Sequence, residues 1–566
     1  MDVDAALQNV GGFGPLQKAN FFLCSLATLL APIHMIGPAL SVGQPDGYRC
    51  RPPPGFTLNE TVPYLGGDAD EDTYDSCHLY RVRNGSVTSE LTTCLHGWEY
   101  ESTHGETSVV TDLDLVCEKR LLGGTIQSIS YIGCLLGSLI LGQMSDTYGR
   151  RKSLICSLLG LGVCGTVVSC AWNYYLIAAL FFGVGFWLGG TVVISYVLAI
   201  EMCTTDRRMK GHVVNGVMYG TGVLLVGPLA YVFPNWRHFQ LAISLPSFLL
   251  LPFIILCSES PRWLVQKGRF EEAEKIIARF AKSNKVPYSK VLSVHDETKD
   301  FPLEDVSCID RESSDATDHR NGYAKVQNGK LPSTVSMIEK SNHGMRDRKR
   351  LYSTFHLFTT KKMAARTLIL FLCWFTANCV YFGSVINTSN LAGHKYLNFF
   401  LIALLELTCY PIDYFVMKRF GRKRPLMAYF VGSAIACTVV AFTPVKIGSG
   451  VSLVVVIVAF SMLGRYFVGG VFNIVFLISA EVFPTVLRNI GLGACFTVGR
   501  IGAVISPFLV HLNTVAEWVP LTIFGAVSLV AGLLVSLLPE TRHTHLPETI
   551  SDGAQLAKPK PPPAHV

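Results

Sequence analysis

Three ionisable side chains lie where water should be scarce. Arg500 is near the middle of "FTVGRIGAVISPF" (496–508), Arg465 is in "SMLGRYFVGG" and Glu406 is in "LIALLELTCYP". A cation at the centre of a membrane span costs roughly 2.5–3.5 kcal/mol on insertion scales, so it should face a partner or a cavity rather than lipid. The guanidinium is a planar fork that grips a carboxylate bidentately. Two chemistries follow. Glu406 neutralises one arginine as a structural pair, or a surplus positive charge faces the path of a substrate that carries a carboxylate. Glu406 also admits a second role, holding a quaternary ammonium together with the aromatic faces of Tyr381 and Phe382 through cation–π attraction. Asn378 is a further candidate substrate contact on the same stretch. His34, in "APIHMIGPAL", either hydrogen-bonds a substrate or satisfies a helix backbone.

The elements that must hold these residues are membrane helices. The chain has 566 residues, 50% hydrophobic and 16% charged, which is too apolar for an ordinary soluble protein. Residues 121–144 contain no formal charge and suffice to cross a ~30 Å hydrocarbon core as helix. Comparable stretches occur near 19–41, 153–171, 174–200, 211–233, 238–258, 364–389, 395–417, 425–443, 451–480, 491–512 and 518–538. The expectation is an all-α membrane protein of about twelve spans. Gly, Pro, Ser and Thr within them are tolerated because neighbouring helices re-satisfy the backbone. No cleavable signal peptide is apparent, since the first apolar stretch has the length of a full span.

Lysine and arginine set the orientation. "GRRK" (149–152), "DRRMK" (206–210), residues 259–363 and "KRFGRKR" (418–424) fall on one side if the spans alternate. The positive-inside rule makes that side, and both termini, cytoplasmic. The net charge of +7 is then largely a consequence of topology and needs no nucleic-acid partner.

Residues 42–120 fall outside the membrane and carry Cys50, Cys77, Cys94 and Cys117 with the sequons at Asn59 and Asn84. Such a loop fits an oxidising compartment; three pairings of the four cysteines are open. The sequon at Asn387 lies at a helix end and is not expected to be glycosylated. Most other cysteines lie in or beside apolar spans, as small packing residues. On the inner side, Ala273, Ile276, Ile277 and Phe280 recur at helical spacing and predict an amphipathic helix under the membrane domain. Residues 293–345 read as a disordered linker. The organisation is 1–18 N-terminus, 19–258 first six-helix half, 259–363 inner loop, 364–538 second half, and 539–566 tail.

The halves echo each other. "GRR" at 149–151 recurs as "GRK" at 421–423; Glu201, Arg208 and Gly211 recur as Glu481, Arg488 and Gly491; "ESP" at 259–261 is answered by "ET" at 540–541. Two halves repeated in the same direction, enclosing a midplane site, are the plan of a rocker transporter. Asp146, Arg150, Glu201, Arg208, Glu481 and Arg488 lie where helices leave the bilayer, placed to bridge the halves in one conformation and part in the other, or to anchor helices to headgroups.

"GQMSDTYGRRK", "SESPRWL", "AEVFPTVLRN" and "LPET" resemble signatures of the major facilitator superfamily. "CRPPP", the Cys-bearing first outer loop, "GWEYESTHGETSVVTDLDLVC" and "WRHFQLAISLPSFL" resemble the solute carrier 22 family of organic cation, anion and carnitine transporters. Thr147 and Lys418 depart from the Gly-Arg motif and its second copy. The resemblance implies the major facilitator fold and alternating access to a small organic ion; the sequons and the oxidised outer loop imply a plasma-membrane address, with an endomembrane address as the alternative. At the position of Arg500 the family's cation carriers have an acidic residue, whereas its anion and carnitine carriers have arginine; Arg465 also matches a basic position of the latter. Residues 386–407 resemble the carnitine branch, while His34 matches a histidine of the anion carriers. The sequence-based expectation is therefore carnitine or a related zwitterion, with an organic anion as the alternative and a non-cycling receptor or channel as a further one.

Nothing points to an enzyme or a bound cofactor. Gly-rich runs such as "GVGFWLGG" lie within apolar helices, where close packing explains them better than phosphate binding. Without a P-loop, transport draws on gradients or on the membrane potential, worth about 2.3 kcal/mol per charge per 100 mV. Sodium coupling, proton coupling and exchange all remain open at this level, as does oligomeric state.

Overall fold

A computed structural model of the chain describes residues 3–45, 47–64, 74–83, 86–102, 104–204, 207–287, 354–388, 395–444, 446–447, 451–484, 487–542 and 547. Its apolar helices are α1 (Pro15–Ile36), α2 (Arg120–Tyr148), α3 (Arg150–Val168), α4 (Tyr174–Glu201), α5 (Arg208–Val232), α6 (Trp236–Leu256), α7 (Lys361–Thr388), α8 (Lys395–Phe420), α9 (Lys423–Phe442), α10 (Val454–Val482), α11 (Arg488–His511) and α12 (Val519–Val535). Among the described residues, 11 helices are long and apolar enough to cross a bilayer; α12, at 17 residues, is shorter than the expected 518–538 span.

Local chemistry starts and stops these helices. The Asn173 side chain accepts from Tyr175 N at the start of α4, and Asn235 accepts from Arg237 N at the start of α6, both at 2.9 Å. Between α2 and α3 the chain turns at Gly149 (φ +113°), and between α8 and α9 at Gly421 (φ +85°), backbone conformations that a side chain would strain. Beyond each glycine a carboxylate receives the exposed amides of the next helix. Glu259 accepts from Arg150 N and Arg151 N at 3.0 Å; Glu540 accepts from Arg422 N at 3.0 Å and Lys423 N at 3.2 Å. The repeated "GRR…ESP" and "GRK…ET" signals thus build one device twice.

Within each half, glycines allow backbones to touch. A Cβ on Gly133, Gly137, Gly185 or Gly189 would collide with the facing backbone between α2 and α4, as would one on Gly222 against α1 or Gly502 against α7. Without a hydrophobic force between helices in lipid, close approach of this kind supplies the packing, which accounts for "GVGFWLGG". The halves meet where α2 faces α11 and α5 faces α8. Ser128 Oγ donates to Val504 O at 2.8 Å across the first seam, and Gly216 and Gly220 receive Tyr410 and Leu407 across the second.

The first loop contains two antiparallel pairs, β1 (Gly47–Cys50) with β4 (Trp98–Glu101) and β2 (His78–Arg83) with β3 (Ser86–Thr93). Disulfides join Cys50 to Cys94 and Cys77 to Cys117, one of the three open pairings. Asn59 is exposed, its side-chain oxygen accepting from Tyr74 OH at 2.6 Å; Asn84 lies outside the described residues. Asn387 is within α7 and partly buried. On the opposite face the amphipathic helix forms at Phe270–Asn284, burying Ala273, Ile276, Ile277 and Phe280 with Ala6 and Leu7 of the N-terminal helix. The linker expected at 293–345 lies outside the described residues.

Candidate functional site

Of the three intramembrane charges singled out in the sequence, two close a network and one stays open among the described residues. In the network, Arg465 on α10 meets Glu406 on α8, Nε to Oε2 at 3.2 Å. Tyr381 OH on α7 donates to Glu406 Oε1 at 2.8 Å. Arg465 Nη1 donates to Tyr381 O at 2.9 Å and Ser384 Oγ at 3.3 Å, and its guanidinium lies 3.7 Å from the centre of the Tyr381 ring. Arg465 is 4% exposed and Glu406 2%. Both carboxylate oxygens are engaged and the charge is neutralised at close range, as a buried pair must be if its desolvation is to be offset. The expectation that Glu406 and Tyr381 hold an ammonium is corrected here: the acid is taken by Arg465, and so is a face of the Tyr381 ring.

Among the described residues Arg500 has no such partner. Gly499 and Gly502 bring α11 tight against α7, and the guanidinium crosses toward the other half, Nη1 reaching Met35 Sδ on α1 at 3.8 Å. Tyr219 OH on α5 donates to the same sulfur at 3.6 Å. Among the described residues Arg500 pairs with no carboxylate. A thioether sulfur is a weak acceptor, so most of the guanidinium's donors remain available at the seam between halves.

Aromatic rings continue the site. Tyr131 of α2 packs on Phe382 across the seam, centroids 4.9 Å apart. From there Tyr381, Phe472, Trp374, Phe496 and Phe476 follow in contact, and Phe476 stacks on His212 of the first half at 5.6 Å. The sequence reading named Tyr381 and Phe382 and missed the others. Their signal was present, since Phe472 and Phe476 are one turn apart on α10 and both face α7 or α11.

Two further expectations shift. Asn378 Nδ2 donates to Trp374 O of its own helix at 2.9 Å and packs against Gly499, so it belongs to the α7–α11 seam. His34 is 1% exposed and lies beside Ile243 of α6, inside the first half. Its neighbour Met35, rotated by one helical step, is the residue that meets Arg500.

The charges on the face opposite the disulfide-bonded loop pair within halves. Arg150 joins Asp146 and, at 3.4 Å, Glu201; Arg208 joins Asp4 of the N-terminal helix at 3.5 Å; Arg422 joins Glu481 at 3.1 Å, with Arg488 close to the same acid. Each of these pairs joins residues of one half, so among the described residues none of them supplies the expected bridge between the halves in this conformation. The halves are clasped instead on the loop face, by Glu106 with Lys395, Ser128 with Val504, and Tyr231 with Tyr396 at 5.8 Å.

The sequence pattern of the Major Facilitator Superfamily matches residues 119–507. The chain is 31% identical to an organic cation transporter protein of Drosophila melanogaster, over 100% of this chain and 96% of the other. It is 31% identical to solute carrier family 22 member 3 of Mus musculus, over 98% and 96%. Among solved structures, the inward open conformation of the xylose transporter XylE from E. coli superposes with TM-score 0.60 over 95% of this chain and 99% of that one, at 14% identity, a likeness of fold.

Proposed function

Because the chain belongs to the major facilitator superfamily and, within it, to the solute carrier 22 family, we propose that it carries small organic ions by alternating access and that its cargo bears a carboxylate. It is a multi-pass membrane protein and not an enzyme. One observation carries the substrate reading: Arg500 stands between the halves with a thioether as its polar contact and no carboxylate partner among the described residues. A substrate carboxylate would supply the charge-assisted, bidentate partner that the protein withholds.

The named activity of the Drosophila relative, organic cation transport, supports a positive group on the same cargo. Glu406 is not free to receive it, but the rings of Phe472 and Phe496, both packed on the buried Trp374, are accessible and suited to a quaternary ammonium. The substrate is therefore a zwitterion of the carnitine type, carboxylate on Arg500 and ammonium on the aromatic wall. An organic anion is the second reading and uses Arg500 in the same way. The lysine and arginine distribution supports an orientation with both termini cytoplasmic and the disulfide-bonded loop outside, and the sequons and disulfides of that loop support a plasma-membrane address.

Competition uptake in cells expressing the chain tests this, with labelled carnitine, a simple organic anion and a permanent cation lacking a carboxylate, each with and without sodium. Saturable carnitine uptake with counterflow is expected. Uptake of the simple anion alone moves the chain to anion transport, uptake of the bare cation overturns the role of Arg500, and flux without saturation or counterflow means a channel.

A further inference from the structure

The halves share a register. α8 follows α2 at 272 residues, while α10 and α11 follow α4 and α5 at 280. Packing obeys it: Gly190 rests against Leu141 and Ser157, and Gly470 rests against Asp413 and Tyr429, the residues at the equivalent positions. An apolar contact in the first half is thus a carboxylate in the second, one that the sequence reading passed over.

Asp413 is on α8, two turns beyond Glu406, and is 1% exposed. Tyr429 OH of α9 donates to Oδ1 at 2.8 Å, and Asn473 Nδ2 of α10 donates to Oδ2 at 2.7 Å. Other titratable groups near it are Cys409 and Tyr410 on its own helix and Tyr466 on α10; Tyr381 of α7 faces Glu406 instead, and α5 presents Gly216 and Gly220 to Tyr410. Among the described residues no lysine, arginine or histidine pairs with Asp413. Unlike Glu406, this acid is held by neutral donors alone.

We propose that Asp413 is a proton-binding site and that its protonation state governs transport. The site is sealed against an ammonium-bearing substrate, whereas a proton needs no cavity. Asn473 is only partly buried and follows Phe472 of the aromatic wall, so it joins Asp413 to the transport path. With Asp413 ionised, the Asn473 amide gives its NH2 to the acid and keeps its carbonyl for the interior. When hydronium delivers a proton, an O–H bond forms on Asp413 and donates to Asn473 Oδ1. The amide turns over and offers its NH2 to the interior. The proton returns to water when the site opens to the other side. One proton thereby exchanges an acceptor for a donor on the path of the cargo.

This rests on the chain being a transporter but not on the identity of its cargo. The test uses full-length protein in liposomes and infrared detection of the carbonyl stretch of a protonated carboxylic acid, which needs no substrate. A band that titrates in the wild type should be missing in Asp413→Asn. Tyr429→Phe, which keeps the ring and serves if Asp413→Asn does not fold, should move the midpoint upward by about one pH unit, because the ionised form loses a donor. Uptake of whichever ion the wild type carries should change several-fold between acidic and neutral outer pH and become flat in Asp413→Asn. A band that survives in Asp413→Asn, a midpoint unmoved by Tyr429→Phe, or a wild-type pH profile in Asp413→Asn each overturns the proposal. Failure of carnitine uptake with the band intact overturns only the substrate assignment.

Discussion

Laid over one another in the shared register, the two halves use different materials at the same positions. Where α2 and α4 meet through Cys134, Gly185 and Gly189, α8 and α10 place Glu406, Arg465 and Gly469; Gly189 lies on the backbone of Cys134, and Gly469 lies on the side chain of Glu406. Where α5 has Gly220, α11 has Arg500. The first half uses this layer for backbone contact, and the second uses it for charge. On the transport cycle proposed above, backbone contact at this layer suits a wall that moves as one unit, since close-packed interiors do not deform continuously. A half carrying polar groups gives the cargo something to recognise. The division assigns motion and chemistry to different parts of one repeated plan.

Arg500→Asp should do the greatest damage. Losing a desolvated charge contact costs about 2–5 kcal/mol, roughly thirty-fold or more in affinity, and reversing its sign adds repulsion. Carboxylate uptake should fall below detection while surface biotinylation stays near wild type; persistent carboxylate uptake would place the recognition chemistry elsewhere. Next is Glu406→Gln, which leaves Arg465 buried and unpaired at a cost of about 3–5 kcal/mol. Thermal stability in detergent should drop, and ammonium and anion substrates should lose uptake together. Replacing both Glu406 and Arg465 by methionine should restore much of that stability. A selective loss of ammonium substrates in Glu406→Gln would instead make the acid a ligand and blur the line between the halves.

The spans were legible in the sequence because a bilayer demands some twenty apolar residues at a time. The repeated turns were legible because a left-handed glycine and a capping acid recur at fixed offsets. Helix rotation was not. In a membrane helix the lipid face is as apolar as the packed face, so little in the pattern shows that Met35 rather than His34 meets Arg500. The sequence also left open which arginine Glu406 neutralises, because α8, α10 and α7 converge only in three dimensions. Asp413, in "CYPIDYFV", escaped notice because it precedes the basic helix end, where an acid reads as interfacial. Disulfide pairing was underdetermined for the same reason: four cysteines in one loop give no geometry until the strands pair.

A smaller effect tests the first half. Gly185→Leu drives a side chain into the Ser130 carbonyl and should destabilise by about 1–3 kcal/mol, seen as a lower unfolding temperature with uptake reduced for all substrates alike. The equivalent position in the second half carries Arg465 without difficulty, because its partners are arranged around it. Full stability in Gly185→Leu would show that the first half is no stiffer there, and the contrast would lose its physical basis.

The smallest expected effect concerns the loop face, where the halves are clasped by Glu106 and Lys395. Partial burial alone would raise the Glu106 carboxyl, but hydrogen bonding and attraction from Lys395, together with backbone amides including that of His104, hold it below the usual carboxylate range. A depressed carboxylate contributes stability above its ordinary range and loses it as pH falls through the lowered value. The clasp should therefore hold at neutral pH and release in acid. The Lys395 and Glu106 side chains are 16% and 14% exposed, and at about 1 kcal/mol, the upper end for pairs that keep contact with water, the clasp is worth a roughly five-fold change in population. A cysteine placed at Gly124, which faces Pro507 across the seam, reports opening through labelling by a membrane-impermeant reagent. Glu106→Gln should label up to about five-fold faster than the wild type at neutral pH. The ratio should converge to unity in acid, and taking the ratio at each pH cancels the pH dependence of the thiol itself. A ratio of one at every pH would mean that the aromatic and backbone contacts close this face unaided, and that the two halves are joined there by packing alone.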